Sequence, residues 1–101
     1  MNKDIYNNFV KIEGEWKRKI IELYNKYFSE FKDDYKKVAE LYVVINNRAD
    51  YYLEGDENLY FTYLDLSSRT LGWSNEKLND EDYYEFCKLA DAYSILKESS
   101  K

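Results

Sequence analysis

Apolar residues recur at spacings of three and four across residues 4–31, which is the pattern of one face of an α-helix. The recurring residues are Ile5, Phe9, Ile12, Trp16, Ile20, Leu23, Tyr27 and Phe31. One uninterrupted helix over this segment would be about 42 Å long, which is more than a compact body of this size needs. We therefore expect Gly14 either to divide the segment into two helices or to allow a close crossing with another helix.

The same periodicity predicts a second helix over residues 35–53. Asp33 and Asp34 precede it, and Asp is a residue type favoured at helix N-caps. Gly55 lies just past the predicted end, where a glycine in the left-handed conformation commonly terminates a helix. The predicted buried face comprises Tyr35, Val38, Leu41, Tyr42, Ile45, Ala49 and Tyr52.

Residues 59–66 fit two secondary structures. As a helix, the segment would place Leu59, Tyr63 and Leu66 together; as a strand, it would place Leu59, Phe61 and Tyr63 on one side. Periodicity alone does not separate the two for so short an apolar run. Helix is favoured because Asp56 can cap one and Gly72 can end one, while a short strand or hairpin remains the alternative.

A last helix is predicted to begin near residues 79–82, where Asn79 can act as the N-cap and the carboxylates that follow are favoured by the helix dipole. Its apolar face comprises Tyr83, Phe86, Ala90, Tyr93 and Leu96. Together these patterns predict an all-α fold for residues 1–101, a single domain built as a small helical bundle of three to four helices.

The inventory of reactive side chains argues against catalysis. The chain has twelve Tyr, one Cys (Cys87) and neither His nor Pro. His is the commonest general acid–base group and the commonest metal ligand. Calcium loops of the EF-hand type fail when started at Asp56 or at Asp80, because Phe61 and Glu85 stand where Gly is required. We therefore expect a protein that is not an enzyme and binds no cofactor or metal, with Cys87 as a plain packing residue next to the apolar face of the last helix.

Charge is unevenly distributed along the chain. Residues 1–50 carry 10 basic and 9 acidic side chains, whereas residues 51–101 carry 5 basic and 11 acidic ones. An exposed Tyr beside carboxylates is a plausible contact for an Arg- and Lys-rich partner. The predicted partner-binding residues are Glu54, Asp56, Glu57, Glu76, Asp80, Glu81, Asp82, Tyr84 and Glu85. The alternative is an ordinary solvated surface with dipole-favoured acids at a helix start. Tyr51, Tyr60 and Tyr84 are the tyrosines predicted to be exposed.

The basic residues cluster most densely around residues 11–19. Lys11, Lys17, Arg18 and Lys19 alternate there with Glu13, Glu15 and Glu22, so we interpret the cluster as a solvated helix face with ion pairs. Direct nucleic-acid binding is disfavoured by the net charge of −5, because neutralisation of phosphates drives that affinity.

These observations favour a non-enzymatic inhibitor whose acidic surface occupies the basic, nucleic-acid-binding site of a larger enzyme. Small acidic anti-defence proteins of phages and plasmids, including anti-CRISPR proteins, fit this size and charge. The alternatives are a helical immunity protein or antitoxin that neutralises a cognate toxin, and a self-associating structural subunit. With no apolar leader and no apolar run near the roughly 20 residues that a membrane span needs, we expect a location in the cytoplasm of a bacterium or of a phage-infected host cell.

Overall fold

The computed structural model describes the backbone of residues 3–99 and the side chains of residues 3–93. Over that part of the chain the fold is all-α, as predicted, and contains no strand. Residues 3–99 form five helices, one more than the upper end of the expected three to four. They are α1 (Lys3–Ile12), α2 (Lys17–Phe31), α3 (Tyr35–Tyr51), α4 (Glu57–Lys77) and α5 (Asp80–Ser99). The body measures 38 × 29 × 22 Å.

The first predicted helix is divided into α1 and α2 at residues 13–16. The amide N–H of Glu13 donates to the carbonyl of Val10 at 3.4 Å, and that of Glu15 donates to the carbonyl of Ile12 at 3.1 Å, so a tight turn follows α1. A Cβ on Gly14 would meet no atom within 4 Å. Of the two expectations for Gly14, division of the helix is therefore confirmed and a close crossing is wrong.

Helix α3 is the centre of the bundle and contacts each of the other four helices. Asp34 caps it as predicted, since its carboxylate accepts a hydrogen bond from the amide of Lys36 at 3.1 Å. Gly55, however, does not adopt the left-handed conformation. The chain instead leaves α3 through Tyr52, whose φ of −99° lies outside the helical range. The Gly55 amide donates to the Tyr52 carbonyl at 3.0 Å.

Helix α4 includes all of residues 59–66, so helix is confirmed there and the strand or hairpin is wrong. Asp56 caps it by accepting a hydrogen bond from the amide of Leu59 at 3.2 Å. Gly72 does not end the helix, which continues to Lys77. A glycine inside a helix costs only about 1 kcal/mol, and the buried positions Thr70 and Ser74 on either side of Gly72 hold the helix against the core.

Helix α5 begins as predicted, with the Asn79 side chain accepting a hydrogen bond from the amide of Asp82 at 2.8 Å. Phe86 and Ala90 are buried against α3, while Leu96 lies outside the described side chains. A smaller core cluster of Val38, Ala39 and Phe86 joins α3 to α5. The main core lies between α1, α2, α3 and α4 and includes Ile5, Phe9, Ile20, Tyr24, Leu41, Val44, Ile45, Tyr63 and Leu66.

Candidate partner-binding surface

A buried ion pair joins the α1–α2 connection to α3. Nε of Arg48 donates to Oε2 of Glu13 at 2.7 Å, and Nη2 of Arg48 donates to Oε1 at 2.5 Å. Each side chain keeps only 5% of its accessible surface. A bidentate guanidinium–carboxylate pair is among the strongest hydrogen-bonded arrangements in proteins, so the Glu13 carboxylate is held firmly inside the bundle.

Three tyrosine hydroxyls complete this polar network. The hydroxyls of Tyr52 and Tyr63 donate to the two Glu13 oxygens at 2.9 and 2.5 Å, and Nη1 of Arg48 donates to the hydroxyl of Tyr6 at 2.9 Å. Among the described residues, no buried polar side-chain atom lacks a hydrogen-bond partner. Because an unsatisfied buried polar group is costly, complete pairing makes the network a rigid support.

Aromatic rings surround the guanidinium group as well. The Cζ atom of Arg48 lies 4.4 Å from the ring centroid of Tyr51, 5.2 Å from that of Tyr6 and 5.4 Å from that of Tyr52. Cations within about 6 Å of an aromatic face are attracted to it. Of these rings, Tyr51 is 69% exposed, so the buried charge supports a ring that faces solvent.

The network shifts the pKa values of its members. Burial alone would lower the pKa of Arg48, but the hydrogen bonds and the charge of Glu13 outweigh burial and raise it. Burial first, and then the hydrogen bond to Glu13, raise the pKa of the Tyr63 hydroxyl. Arg48 is therefore held charged and Tyr63 neutral, a state suited to support of the fold and not to proton transfer near neutral pH.

The sequence pattern does not reveal this network. Glu13 is expected among solvated surface charges, and no motif in the sequence singles out Arg48. A signal was available, because Arg48 lies three residues after Ile45 and four before Tyr52, on the predicted buried face of α3. A cation on a core face needs a buried partner, and the pattern did not show which of many carboxylates that partner is.

Exposed apolar side chains occur on or beside the segments that the network joins. Glu13 ties together the α1–α2 connection, the last turn of α3 and the first half of α4. Trp16, Tyr51 and Phe61 come from these segments and Leu53 follows α3; each of the four exposes more than half of its surface. Large exposed apolar groups are marks of interaction surfaces when they lie together.

One of the two predicted acidic clusters lies at the end of the bundle where α3 connects to α4. Glu54, Asp56 and Glu57 are all exposed and occupy the connection from α3 to α4. Along the chain they lie between the exposed Leu53 and the exposed Phe61, so this end combines carboxylates with large apolar side chains. We refer to it as the aromatic–acidic end, made of Tyr51, Leu53, Glu54, Asp56, Glu57 and Phe61.

The other predicted residues lie at the opposite end of α4. Glu76 is at the end of α4, and Asp80, Glu81, Asp82, Tyr84 and Glu85 are at the start of α5. Along the axis of α4, Glu57 and Glu76 are roughly 28 Å apart, at 1.5 Å per residue. The nine predicted residues therefore form two separate surfaces.

Exposure within the second group is mixed. Tyr84 is 64% exposed, which confirms the sequence prediction, and the Nζ atom of Lys88 lies 5.3 Å from its ring centroid. Asp82 and Glu85 are half-buried, whereas the remaining carboxylates of the group are exposed. Tyr60, also predicted to be exposed, is half-buried, because its ring packs on the main core.

The described residues contain no group of three or more His, Cys, Asp or Glu side chains placed to hold a metal ion. Cys87 is half-buried against the Phe86 cluster, in the packing position expected for it. Within residues 3–99, no helix combines the length and apolar character required to cross a membrane. No family model, curated protein or solved structure matches the chain.

Proposed function

We propose that the protein is a non-enzymatic inhibitor that binds a larger enzyme and occupies its basic, nucleic-acid-binding site. The observation that carries the proposal is the aromatic–acidic end, where exposed Tyr51, Leu53 and Phe61 lie among three exposed carboxylates. Anti-defence proteins of phages and plasmids, of the anti-CRISPR type, act in this way, and the chain shares their small size and acidity. The host compartment would be a bacterial cytoplasm.

The chemistry of this end suits such a target. Aromatic residues dominate the binding energy of interfaces, and carboxylates beside them complement a surface that has evolved to bind phosphates. Rigid support lowers the entropy lost on binding. The Glu13–Arg48 network supplies that support directly beneath Tyr51, through a cation–π contact of 4.4 Å.

The test is an affinity capture from the lysate of a low-GC bacterium, with a variant that removes the charge of the surface but keeps the fold. Glu54→Lys and Glu57→Lys reverse two charges, and Asp56→Asn removes a third while keeping an oxygen that can cap α4. We expect the wild type to capture a nucleic-acid enzyme and inhibit it, and the triple variant to lose at least tenfold in affinity.

The matched control changes charge by the same amount elsewhere, with Glu15→Lys, Glu30→Lys and Asp33→Asn, all at exposed positions. The control variant should still capture the enzyme. Capture by the wild type and by the control should weaken as salt rises well above about 0.15 M, because exposed charges are then screened. Equal affinity of both triple variants for the captured enzyme would contradict the proposal. Capture of one small toxin through high salt would support the immunity-protein alternative instead.

A further inference from the structure

A groove lies along α2, beginning beside the α1–α2 connection. It consists of two adjoining hollows of about 320 and 240 Å³ that share Lys19 and Glu22. Trp16 and Arg18 line the first hollow, and Ile12, Leu23 and Lys26 line the second. We refer to these seven residues as the α2 groove.

The α2 groove has an apolar floor and a cationic rim. Ile12 and Leu23 are half-buried and form the floor, and Trp16, 75% exposed, stands at one end. The rim of the α2 groove carries three cations, Arg18, Lys19 and Lys26, and one carboxylate, that of Glu22. Nε of Arg18 lies 3.4 Å from Oε1 of Glu22. Such a groove fits a segment that offers an aromatic ring together with carboxylates.

The basic character of this side of the molecule follows from the buried pair. Residues 3–32 contain seven Lys or Arg and five Asp or Glu. Because the Glu13 carboxylate points inward to Arg48, only four carboxylates face solvent beside the seven exposed cations. The surface of α1 and α2 is therefore more positive than the sequence count indicates.

We propose that the α2 groove binds the start of α5 in a second copy of the chain. That segment supplies the complementary chemistry: the exposed carboxylates of Asp80 and Glu81, and the ring of Tyr84, which is 64% exposed. The carboxylates pair with Arg18 and Lys19 on the rim, and the ring reaches the apolar floor.

The contact can form only between molecules. Helix α5 packs against α3 and α4, while over the described residues its backbone approaches neither α1 nor α2 closely. Each molecule thus carries one groove and one acidic segment on different faces. We take the contact between these unlike surfaces as heterologous, so association proceeds head to tail and gives either a closed ring or an open chain.

The experiment measures mass against concentration by sedimentation, in about 0.15 M salt and up to concentrations on the order of 1 mM. We expect the wild type to exceed the 12.3 kDa of one chain increasingly as concentration rises. A mass that stays at one chain throughout would overturn the proposal.

Two variants then assign the surfaces. The groove variant carries Arg18→Glu, Lys19→Glu and Lys26→Glu, and we expect it to be monomeric at every concentration. Its control carries Lys3→Glu, Lys32→Glu and Lys36→Glu, the same charge change at exposed positions outside the groove, and should associate like the wild type. Association of the groove variant would overturn the proposal.

The second variant carries Asp80→Lys, Glu81→Lys and Asp82→Lys. It should also be monomeric, because its groove is intact but the altered start of α5 no longer binds the groove of another copy. Mixing the two monomeric variants provides the decisive result. The intact groove of one can bind the intact α5 start of the other, so we expect a dimer of about twice 12.3 kDa and nothing larger. A mixture that remains monomeric, although each variant is folded by circular dichroism, would overturn head-to-tail binding.

Other occupants of the groove give distinguishable results. If the wild type stays monomeric yet binds a single-stranded oligonucleotide through the groove residues, the occupant is a nucleic acid and the proposal is wrong. None of these variants alters Glu54, Asp56 or Glu57, so the outcome is independent of the proposed inhibitor function.

Discussion

At the scale of single residues, the Glu13–Arg48 pair is buried and bidentate. Removing one member of a buried ion pair leaves an uncompensated charge, whereas replacing both with apolar residues of similar size is often close to neutral. The pair therefore fixes where the α1–α2 connection lies more than it adds to net stability. This distinction can be measured with two single variants and the double variant that combines them.

We expect Arg48→Met to lower the free energy of unfolding by about 3–5 kcal/mol, because the carboxylate of Glu13 is left buried without its counter-charge. The double variant Arg48→Met with Glu13→Leu should recover most of that loss. Urea denaturation of the wild type, both single variants and the double variant measures the coupling.

Arg18→Met is the matched control, because the Arg18–Glu22 pair is exposed, with an Arg18 side chain that keeps 84% of its surface. Its effect should stay within about 1 kcal/mol. A loss of similar size for Arg48→Met and Arg18→Met would show that the buried pair is not tightly formed.

Tyr63 gives a pH-dependent prediction at the same scale. Its pKa is raised above the ordinary 10.0, by burial and then by Glu13, so the native state keeps this proton at a pH where the unfolded chain loses it. Its contribution to stability is complete below pH 10.0 and is lost as the pH rises above that value. The free energy of unfolding should therefore fall in alkaline solution.

Replacing Tyr63 with Phe removes that proton, so the alkaline decline in the free energy of unfolding should be shallower than in the wild type. The variant should also start from a lower stability, because Glu13 loses one hydrogen-bond donor. Tyr84→Phe, at an exposed ring, is the control and should decline like the wild type. Urea denaturation at several pH values from neutral to alkaline measures both slopes.

At the scale of elements, capping residues in the sequence predicted the starts of helices more reliably than glycines predicted their ends. Asp34, Asp56 and Asn79 act as N-caps because each offers a side-chain oxygen to a free amide of the first turn. Gly55 and Gly72 are not helix terminators. Termination depends on what the next residues pack against, and the buried face of α4 continues past Gly72 to Ser74.

Gly72→Ala should stabilise the protein. Gly72 lies inside α4, with no positive φ, and a Cβ there would meet no atom within 4 Å. Alanine favours the helix by about 0.5–1 kcal/mol over glycine, which corresponds to a Tm increase of roughly 2–8 °C for a domain of this size. Thermal unfolding followed by circular dichroism measures it, and a lower Tm would mean that the open space at Gly72 is needed.

At the scale of the whole molecule, the length of α4 separates the two acidic clusters by roughly 28 Å. Among the side chains that the structure describes, only the cluster at Glu54, Asp56 and Glu57 is accompanied by several large exposed apolar groups, those of Tyr51, Leu53 and Phe61. The separation allows one surface to bind a partner while the other takes part in self-association.

We therefore expect the two clusters to act independently. Charge reversal at residues 80–82 should abolish self-association and change the affinity for the captured enzyme less than twofold. The variant at residues 54–57 should behave in the opposite way. Sedimentation and binding measurements on the same two preparations test this, and loss of both activities in either variant would show one shared surface.

The sequence by itself determined the fold class, the helical segments, the caps and most of the buried positions. Residues within one or two turns of a helix set these features, so periodicity and capping chemistry predict them. The tertiary structure decided which charges are buried and which lie together. Glu13 and Arg48 are 35 positions apart in the chain, and local patterns do not select one carboxylate among many over that distance. The same long-range packing divided the predicted binding residues between two ends of the bundle, because α4 runs straight through Gly72 and holds them apart.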